Sequence, residues 1–221
     1  MKLVILDCDG VLIDSEVISA QMLIEELGHL GVHIDMPFVA RNFLGRSYPT
    51  VMQTIRQDFG LDLSPDFEAR YRDRLLRAFD ERLTIMPGVA DFLDRLALPV
   101  AVATSSSPRR VEMSLRHVGL WDRLAPVTFT ASLVAQGKPA PDLFLHVATV
   151  MQTDPRDCLV IEDSLPGLRA GLAAGMQVWH FTGGSHMKPQ PPEFPEDSRP
   201  HRRFDRFDDV FRTAAECQGI A

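Results

Sequence analysis

Short apolar segments rich in β-branched residues recur along the chain and lack the polar alternation of a half-exposed strand. They occupy Lys2–Leu6, Pro99–Ala103, Val127–Thr130, Cys158–Ile161 and Gln177–Phe181. Such segments are typical of strands that are buried on both faces of a parallel sheet. Amphipathic stretches of helical length lie between them, as in Pro108–Val118 and Pro141–Met151. The alternation predicts a doubly wound parallel α/β sheet.

One long interruption separates the first strand from the second. From Ser15 to about Thr84 the pattern is helical throughout, and Ser64-Pro65-Asp66 has the residues of a helix start, for a helix that runs through Arg82. Pro87-Gly88 marks the return to the sheet. We therefore predict a Rossmann-like core of residues 1–14 and 87–221 and an inserted helical cap domain of residues 15–86.

A proline-rich segment follows the last predicted strand. Five prolines lie within residues 183–203, too many for a helix or a central strand. The sequence predicts an irregular surface loop here.

Composition places the chain among ordinary globular proteins, with 221 residues, 45% hydrophobic and 24% charged. The net charge of -7 argues against non-specific binding to nucleic acid or to anionic lipid. The odd number of well-separated cysteines is not a disulfide framework and is typical of a reducing compartment. No apolar run has the length of a membrane span. We expect a cytoplasmic protein, a monomer or weak homodimer, with neither a nucleic-acid nor a membrane partner.

Carboxylates follow two of the predicted strands. Asp7 and Asp9 follow the first strand, and Glu162 and Asp163 follow the fourth. Carboxyl ends of parallel strands meet at one edge of a sheet, and side chains two apart on a strand point the same way. Gathering these acids requires a cation, and oxygen ligands beside a phosphate suit Mg²⁺. An Asx turn after the first strand and a helix cap at Asp163 are the alternatives for each pair alone.

Hydroxyls and one lysine follow the other strands. Thr104 and Ser105 begin a run that leads into a helix at Pro108, an arrangement that binds anions or merely caps the helix. Lys138 lies in a loop fixed by prolines, where it either pins a phosphate or is solvated. What favours function is that all these features follow predicted strands in order. Together they predict a magnesium-dependent site for a phosphate group.

The sequence lacks the motifs of two other classes of phosphate-binding site. A cysteine-based phosphatase needs an arginine six residues after its cysteine, but Cys8 and Cys158 are followed there by Asp14 and Ser164. A nucleotide-binding P-loop needs Ser or Thr after its lysine, whereas Lys138 precedes proline.

Nearly the whole chain resembles the haloacid dehalogenase superfamily, in the branch that has a helical cap after the first strand. Asp7-Cys8-Asp9-Gly10-Val11-Leu12 matches its first motif, Thr104 the second, Lys138 the third and Glu162-Asp163 the fourth. The resemblance implies that Asp7 is a nucleophile that attacks phosphorus. It further implies that Asp9 protonates the leaving alcohol and then activates water.

The resemblance also implies the binding groups. The phosphoryl oxygens would be held by the side chains of Thr104 and Lys138 and by the amides of Cys8, Asp9 and Ser105. Mg²⁺ would be bound by Asp7, the backbone carbonyl of Asp9 and Asp163, with Glu162 either a direct ligand or one shell out. Gly45 and Arg46 match the cap loop that enters the site. Arg46 is either a ligand for a second anionic group of the substrate or a surface residue.

Similar enzymes are phosphatases or sugar phosphomutases. The β-phosphoglucomutases carry a histidine twelve residues after the nucleophile, where this chain has Ser19, and this favours hydrolysis over phosphoryl shuttling. The expected function is a magnesium-dependent phosphatase of a small phosphorylated sugar, polyol or sugar acid such as 6-phosphogluconate. The alternatives are a mutase and a catalytically inactive binding module.

Overall fold

The computed structural model describes residues 1–188 and 195–214 and contains one six-stranded sheet in which every paired strand runs parallel. The strands are β1 (Leu3–Leu6), β2 (Val100–Thr104), β3 (Thr128–Thr130), β4 (Cys158–Glu162), β5 (Gln177–Phe181) and β6 (Arg202–Phe204). The predicted doubly wound parallel α/β sheet is confirmed.

The strand order is β3-β2-β1-β4-β5-β6, so β1 lies between β2 and β4. Ile5 pairs with Ala101 on one side and with Val160 on the other. The chain winds outward in one direction through β2 and β3, and in the opposite direction through β4 to β6. This reversal next to β1 opens a crevice at the carboxyl ends of the strands, where ligands bind in such sheets.

Both faces of the sheet are covered, because alternate residues of β1 point to opposite sides. Leu3 and Ile5 pack in one hydrophobic cluster with the helices that follow β3 and β4. Val4 and Leu6 belong to a second, larger cluster that extends into the inserted helices. The helices of the sheet domain are α5 (Val89–Arg95), α6 (Pro108–His117), α7 (Trp121–Leu124), α8 (Asp142–Val150), α9 (Leu165–Ala173) and α10 (Asp208–Ala214).

The segment between β1 and β2 is helical up to Arg82, as predicted. Its helices are α1 (Glu16–His29), α2 (Met36–Asn42), α3 (Tyr48–Phe59) and α4 (Pro65–Arg82). The predicted start of α4 is confirmed, since the Ser64 side chain accepts a hydrogen bond from the Phe67 amide and proline follows it. The exact limits of the cap domain, residues 15 and 86, stay a prediction.

The predicted surface loop over residues 183–203 is wrong at its end, where β6 adds a parallel edge strand beside β5. Phe204 supplies the reason: its ring lies 5.2 Å from that of Phe181 and 5.9 Å from that of Phe207. Burial of these rings stabilises pairing that the nearby prolines disfavour. Part of the proline-rich segment, residues 189–194, lies outside the described residues, as does Cys217.

None of the helices in the described part of the chain combines the length and apolarity that a membrane crossing requires.

Candidate active site

The carboxyl ends of β1, β2 and β4 lie against the cap and form one wall of a cavity of about 670 Å³. Asp7 follows β1, while Thr104 and Glu162 are the last residues of β2 and β4. Lys138 reaches the same cavity from the loop before α8. The fold therefore gathers side chains that are up to 155 positions apart in the printed sequence, from Asp7 to Glu162.

Four of these residues form what we call the lysine cluster: Asp7, Lys138, Glu162 and Asp163. The Lys138 Nζ donates to Asp7 Oδ1 at 2.6 Å, to Glu162 Oε1 at 2.7 Å and to the carbonyl of Ala103 at 2.9 Å. One ligand atom from each of the three acids lies within 4.8 Å of the others, and all three residues are buried. Burial makes these contacts stronger than they would be in water.

In the lysine cluster, the single positive charge of Lys138 does not balance the charges of three carboxylates. Burial raises the pKa of Asp7 well above its ordinary value, and the neighbouring acids add to this while Lys138 opposes it. Burial and Glu162 likewise raise the pKa of Asp163. Despite burial, Asp7 and Glu162 raise the pKa of Lys138, which stays charged. Three carboxylates share one ammonium, and this set of buried oxygen donors fits a divalent cation.

Glu162 is held almost entirely by protein groups. Its Oε2 accepts from the amides of Asp163 and Ser164, both at 2.8 Å, and from Ser164 Oγ at 2.9 Å. Space for this carboxylate depends on Gly167, because a Cβ at that position would overlap it. With Oε1 given to Lys138, Glu162 positions the lysine and the Asp163 backbone.

Asp9 turns its side chain away from the lysine cluster and into a second group, the arginine cluster, which consists of Asp9, Ser15, Ser106 and Arg110. Its Oδ1 accepts from Ser15 Oγ and Arg110 Nη2, both at 2.6 Å, and its Oδ2 accepts from Ser106 Oγ at 2.6 Å. Burial alone would raise the pKa of Asp9, but Arg110 and the two hydroxyls outweigh burial and lower it.

Arg110 and Ser15 were not predicted from the sequence, whereas Ser106 lies in the run of hydroxyls that was. A usable signal existed for Arg110, because the Ser107 hydroxyl caps α6 and accepts from the Arg110 amide. A residue in the first turn of a helix that follows β2 must lie near the carboxyl edge of the sheet. The prediction for this segment rested on its hydroxyls and did not include the cation.

The cap side of the cavity carries a further buried acid, Glu16 of α1. Burial raises its pKa to about 8, and the charges of Asp9 and Asp163 contribute. Ser19, one turn along α1, accepts a hydrogen bond from Arg110 Nη2 at 3.1 Å. Arg110 thus bridges the core helix α6 and the cap helix α1.

The segment after β5 also belongs to the site, although it was predicted to be surface loop. His186 is buried, and its Nε2 lies 3.0 Å from Asp163 Oδ2. Burial lowers the pKa of His186. The amide and hydroxyl of Ser185 both donate to Asp14 Oδ1, at 3.1 and 2.8 Å. This segment joins the carboxylate of Asp163 to the chain connection that leads into the cap.

The hydroxyls after β2 lie where a phosphate group was predicted to bind. Thr104 is buried, and its Oγ1 accepts from the Ser106 amide at 3.0 Å. Ser105 Oγ donates to the carbonyl of Gly45 at 3.4 Å, so the hydroxyl contacts the cap loop directly. The Cys8 thiol is buried and its pKa is raised well above the ordinary value, mainly by burial, which makes it unfit as a nucleophile.

The cap loop approaches the core closely at Gly45. Its φ is +72°, and a Cβ there would overlap the side chain of Ser164. Only glycine meets both conditions without strain. Arg46 is exposed and lines the same cavity. The cavity is therefore lined by eight of the ten predicted site residues, and the other two, Cys8 and Asp163, are sequence neighbours of lining residues.

These features, a cap over a parallel sheet and paired carboxylates at the end of its central strand, match a known family. The family model of haloacid dehalogenase-like hydrolases matches residues 1–175. The chain belongs to this family. It is an enzyme of the phosphatase type, a phosphoric monoester hydrolase.

Individual relatives span most of the chain. It is 27% identical to 6-phosphogluconate phosphatase of Escherichia coli K12 over 190 residues, which cover 86% of each protein. It is 34% identical to fructose-1-phosphate phosphatase YqaB of the same organism, over 79% of this chain and 93% of that one. A haloacid dehalogenase-like protein of unknown function from Agrobacterium tumefaciens C58 superposes with a TM-score of 0.82 at 31% identity, covering 99% of this chain and all of the other.

Proposed function

We propose that this protein is a magnesium-dependent phosphatase that hydrolyses a small phosphorylated sugar, polyol or sugar acid through an aspartyl phosphate on Asp7. The observation that supports this most strongly is the separation of the two aspartates. Asp7 contacts Lys138, whereas Asp9 contacts Arg110. A phosphate ester placed between them has a nucleophile on one side and a proton donor on the other.

The protein groups divide the binding of the phosphate. Lys138 and Thr104 hold its oxygens, with the amides of Cys8, Asp9 and Ser105. Mg²⁺ would be held by Asp7, Asp163 and the backbone carbonyl of Asp9. Glu162 would support this site indirectly, because its hydrogen bonds position Lys138 and the backbone of Asp163. The ion would cancel the charge that otherwise repels a carboxylate from a phosphate dianion.

Turnover takes two displacements at phosphorus. In the first, a carboxylate oxygen of Asp7 forms a bond to phosphorus while the bond to the sugar oxygen breaks, and Asp9 gives that oxygen a proton. In the second, Asp9 takes a proton from water, whose oxygen bonds to phosphorus as the bond to Asp7 breaks. Asp9 must leave its pair with Arg110 to act as the acid, so substrate binding has to alter the arginine cluster.

Substrate class rests on the relatives and on the cavity. The two phosphatases of Escherichia coli are named for phosphorylated sugars or sugar acids. The cavity of about 670 Å³ suits a ligand of this size, and its cap side carries arginines, including Arg46. Ser19 takes the position at which the mutases have a histidine, and its hydroxyl is engaged by Arg110.

The test is a panel of phosphorylated sugars, polyols and sugar acids at matched concentration, with phosphate release measured in Mg²⁺ and after chelation with EDTA. We expect release from members of these classes in Mg²⁺ and its loss with EDTA, with p-nitrophenyl phosphate as a general control. Release that persists without metal would contradict the proposed metal dependence. A ranking led by nucleotides or phosphoproteins would contradict the substrate class, and no release from any ester would favour the inactive module.

A further inference from the structure

Arg110 carries a positive charge into the cavity, where it pairs with Asp9 and contacts the cap helix α1. Its Nη2 lies 2.6 Å from Asp9 Oδ1 and 3.1 Å from Ser19 Oγ. Its guanidinium carbon lies 5.1 Å from the centre of the Phe79 ring, which supports it from the cap. The cation is therefore fixed by side chains from both the core and the cap.

The hydrogen bonds of Arg110 are incomplete within the described residues. Its Nε is buried and has no hydrogen-bond partner there. A buried donor that lacks a partner costs free energy, so a purely structural arginine at this place would be poorly satisfied. A guanidinium presents its donors as a planar fork, which matches a carboxylate or phosphate of a ligand.

The other three arginines that line the cavity differ from Arg110 in their surroundings. Arg72 stacks on the ring of Tyr48 and pairs with Glu68 at 3.8 Å. Arg109 pairs with Asp73 at 3.4 Å, and Arg46 is exposed. Among these four, Arg110 is the one that pairs with a residue proposed to act in catalysis. Its charge therefore lies on the leaving-group side of a bound ester.

The small side chain of Ser19 matters for the same reason. It leaves room on α1 for the guanidinium, which contacts Ser19 directly. A larger side chain at this point would compete with Arg110 for the same space. Ser19 of the cap and Arg110 of the core therefore leave space for one more polar group beside the guanidinium.

We propose that Arg110 is a specificity-determining residue that binds a second anionic group on the leaving-group side of the substrate, so that the enzyme prefers sugar-acid phosphates to neutral sugar or polyol phosphates. This rests on the proposed phosphatase function. A carboxylate that takes over Arg110 also frees Asp9 from its ion pair. Binding of the substrate carboxylate by Arg110 and release of Asp9 from its ion pair then occur together.

The experiment compares 6-phosphogluconate with glucitol 6-phosphate, which share a carbon chain and differ in a carboxylate or a hydroxymethyl group at the far end. We expect the unmodified enzyme to favour the acid in kcat/KM by at least about tenfold. In Arg110→Met the ratio of the two kcat/KM values should fall to about one, mainly through KM for the acid. Arg110→Lys should keep part of the preference, because the charge remains while the planar fork is lost.

Arg116→Met is the matched control, since Arg116 lies on the same helix and pairs with Glu112 at the surface. It should keep the preference of the unmodified enzyme. If both substrates lose the same factor in kcat in the Arg110 variants and the ratio is unchanged, Arg110 acts only on Asp9 and the proposal is wrong. A preference of the unmodified enzyme for the polyol would overturn it as well. If the unmodified enzyme hydrolyses no ester of the panel, the proposed function itself fails.

Discussion

Asp7 and Asp9 are two residues apart at the end of one strand, yet they enter opposite electrostatic environments. Asp7 lies in the lysine cluster, where three buried acids share one cation and where its pKa is raised. Asp9 lies in the arginine cluster, where one acid has a cation and two hydroxyls and where its pKa is lowered. The same side chain is thus set for two different tasks by its neighbours alone.

The difference shows what each half of the site still needs. The lysine cluster has excess negative charge and a set of oxygen donors, so it needs a cation. The arginine cluster is balanced through a single ion pair, which an incoming anion can compete for. We therefore expect the metal at the lysine cluster and the second anionic group of the substrate at the arginine cluster.

Removing the cation of the lysine cluster should have the largest effect on stability. We expect Lys138→Met to lower the free energy of unfolding by about 3–5 kcal/mol near neutral pH, because two buried carboxylates lose their partner. The loss should be smaller at mildly acidic pH, because Asp7, whose pKa burial raises, then takes up a proton. Urea unfolding in EDTA measures it, and added Mg²⁺ should restore part of the loss.

Lys2→Met is the control for the loss of one lysine charge. Lys2 pairs with Asp157 at the surface, with 73% of its side chain exposed, so little change in unfolding is expected. Equal effects of the two substitutions would show that the lysine cluster is not electrostatically strained.

A smaller effect is expected from Glu16, which faces both clusters from the cap. The folded protein holds its proton up to a pKa of about 8, against an ordinary value of 4.5. Between these values the folded state binds more protons than the unfolded state, so Glu16 makes stability fall as pH rises. Glu16→Gln removes this dependence and should be more stable than the unmodified protein at about pH 8.5, by at least about 1 kcal/mol.

Urea unfolding at several pH values measures this, and the two curves should converge near the ordinary pKa of a glutamate. Glu25→Gln is the control, since Glu25 lies on the same helix with 53% of its side chain exposed. A pH dependence that is the same in Glu16→Gln and in the unmodified protein would show that Glu16 is not protonated in the fold.

Much of the fold could be predicted, because buried parallel strands leave continuous apolar runs in the sequence. β6 could not, since its three residues include two arginines and prolines lie nearby. Its pairing depends on contacts of Phe204 with rings from β5 and from the segment before α10. Such tertiary contacts override local propensity and leave no periodic signal.

From the residues alone, the candidate site was predictable mainly where its side chains follow strands. Asp7, Glu162 and Asp163 are found in this way, because parallel topology brings strand ends together. Arg110 and His186 lie on a helix and on a loop, and their inward orientation depends on how the cap and the last loop pack. One sequence does not show whether an arginine in a helical turn faces water or a buried carboxylate.

The central claim, that Asp7 and not Asp9 receives the phosphoryl group, has a direct test. Asp9→Asn is mixed with p-nitrophenyl phosphate and Mg²⁺, quenched in acid within the first turnover, digested and examined by mass spectrometry. Nitrophenolate leaves without help from an acid, so the first displacement should proceed while hydrolysis of the acyl phosphate is slowed. We expect a phosphoryl group on Asp7, and none when Asp7→Asn is treated alike. Nitrophenolate release without any adduct on Asp7, or an adduct that persists in Asp7→Asn, would contradict the claim.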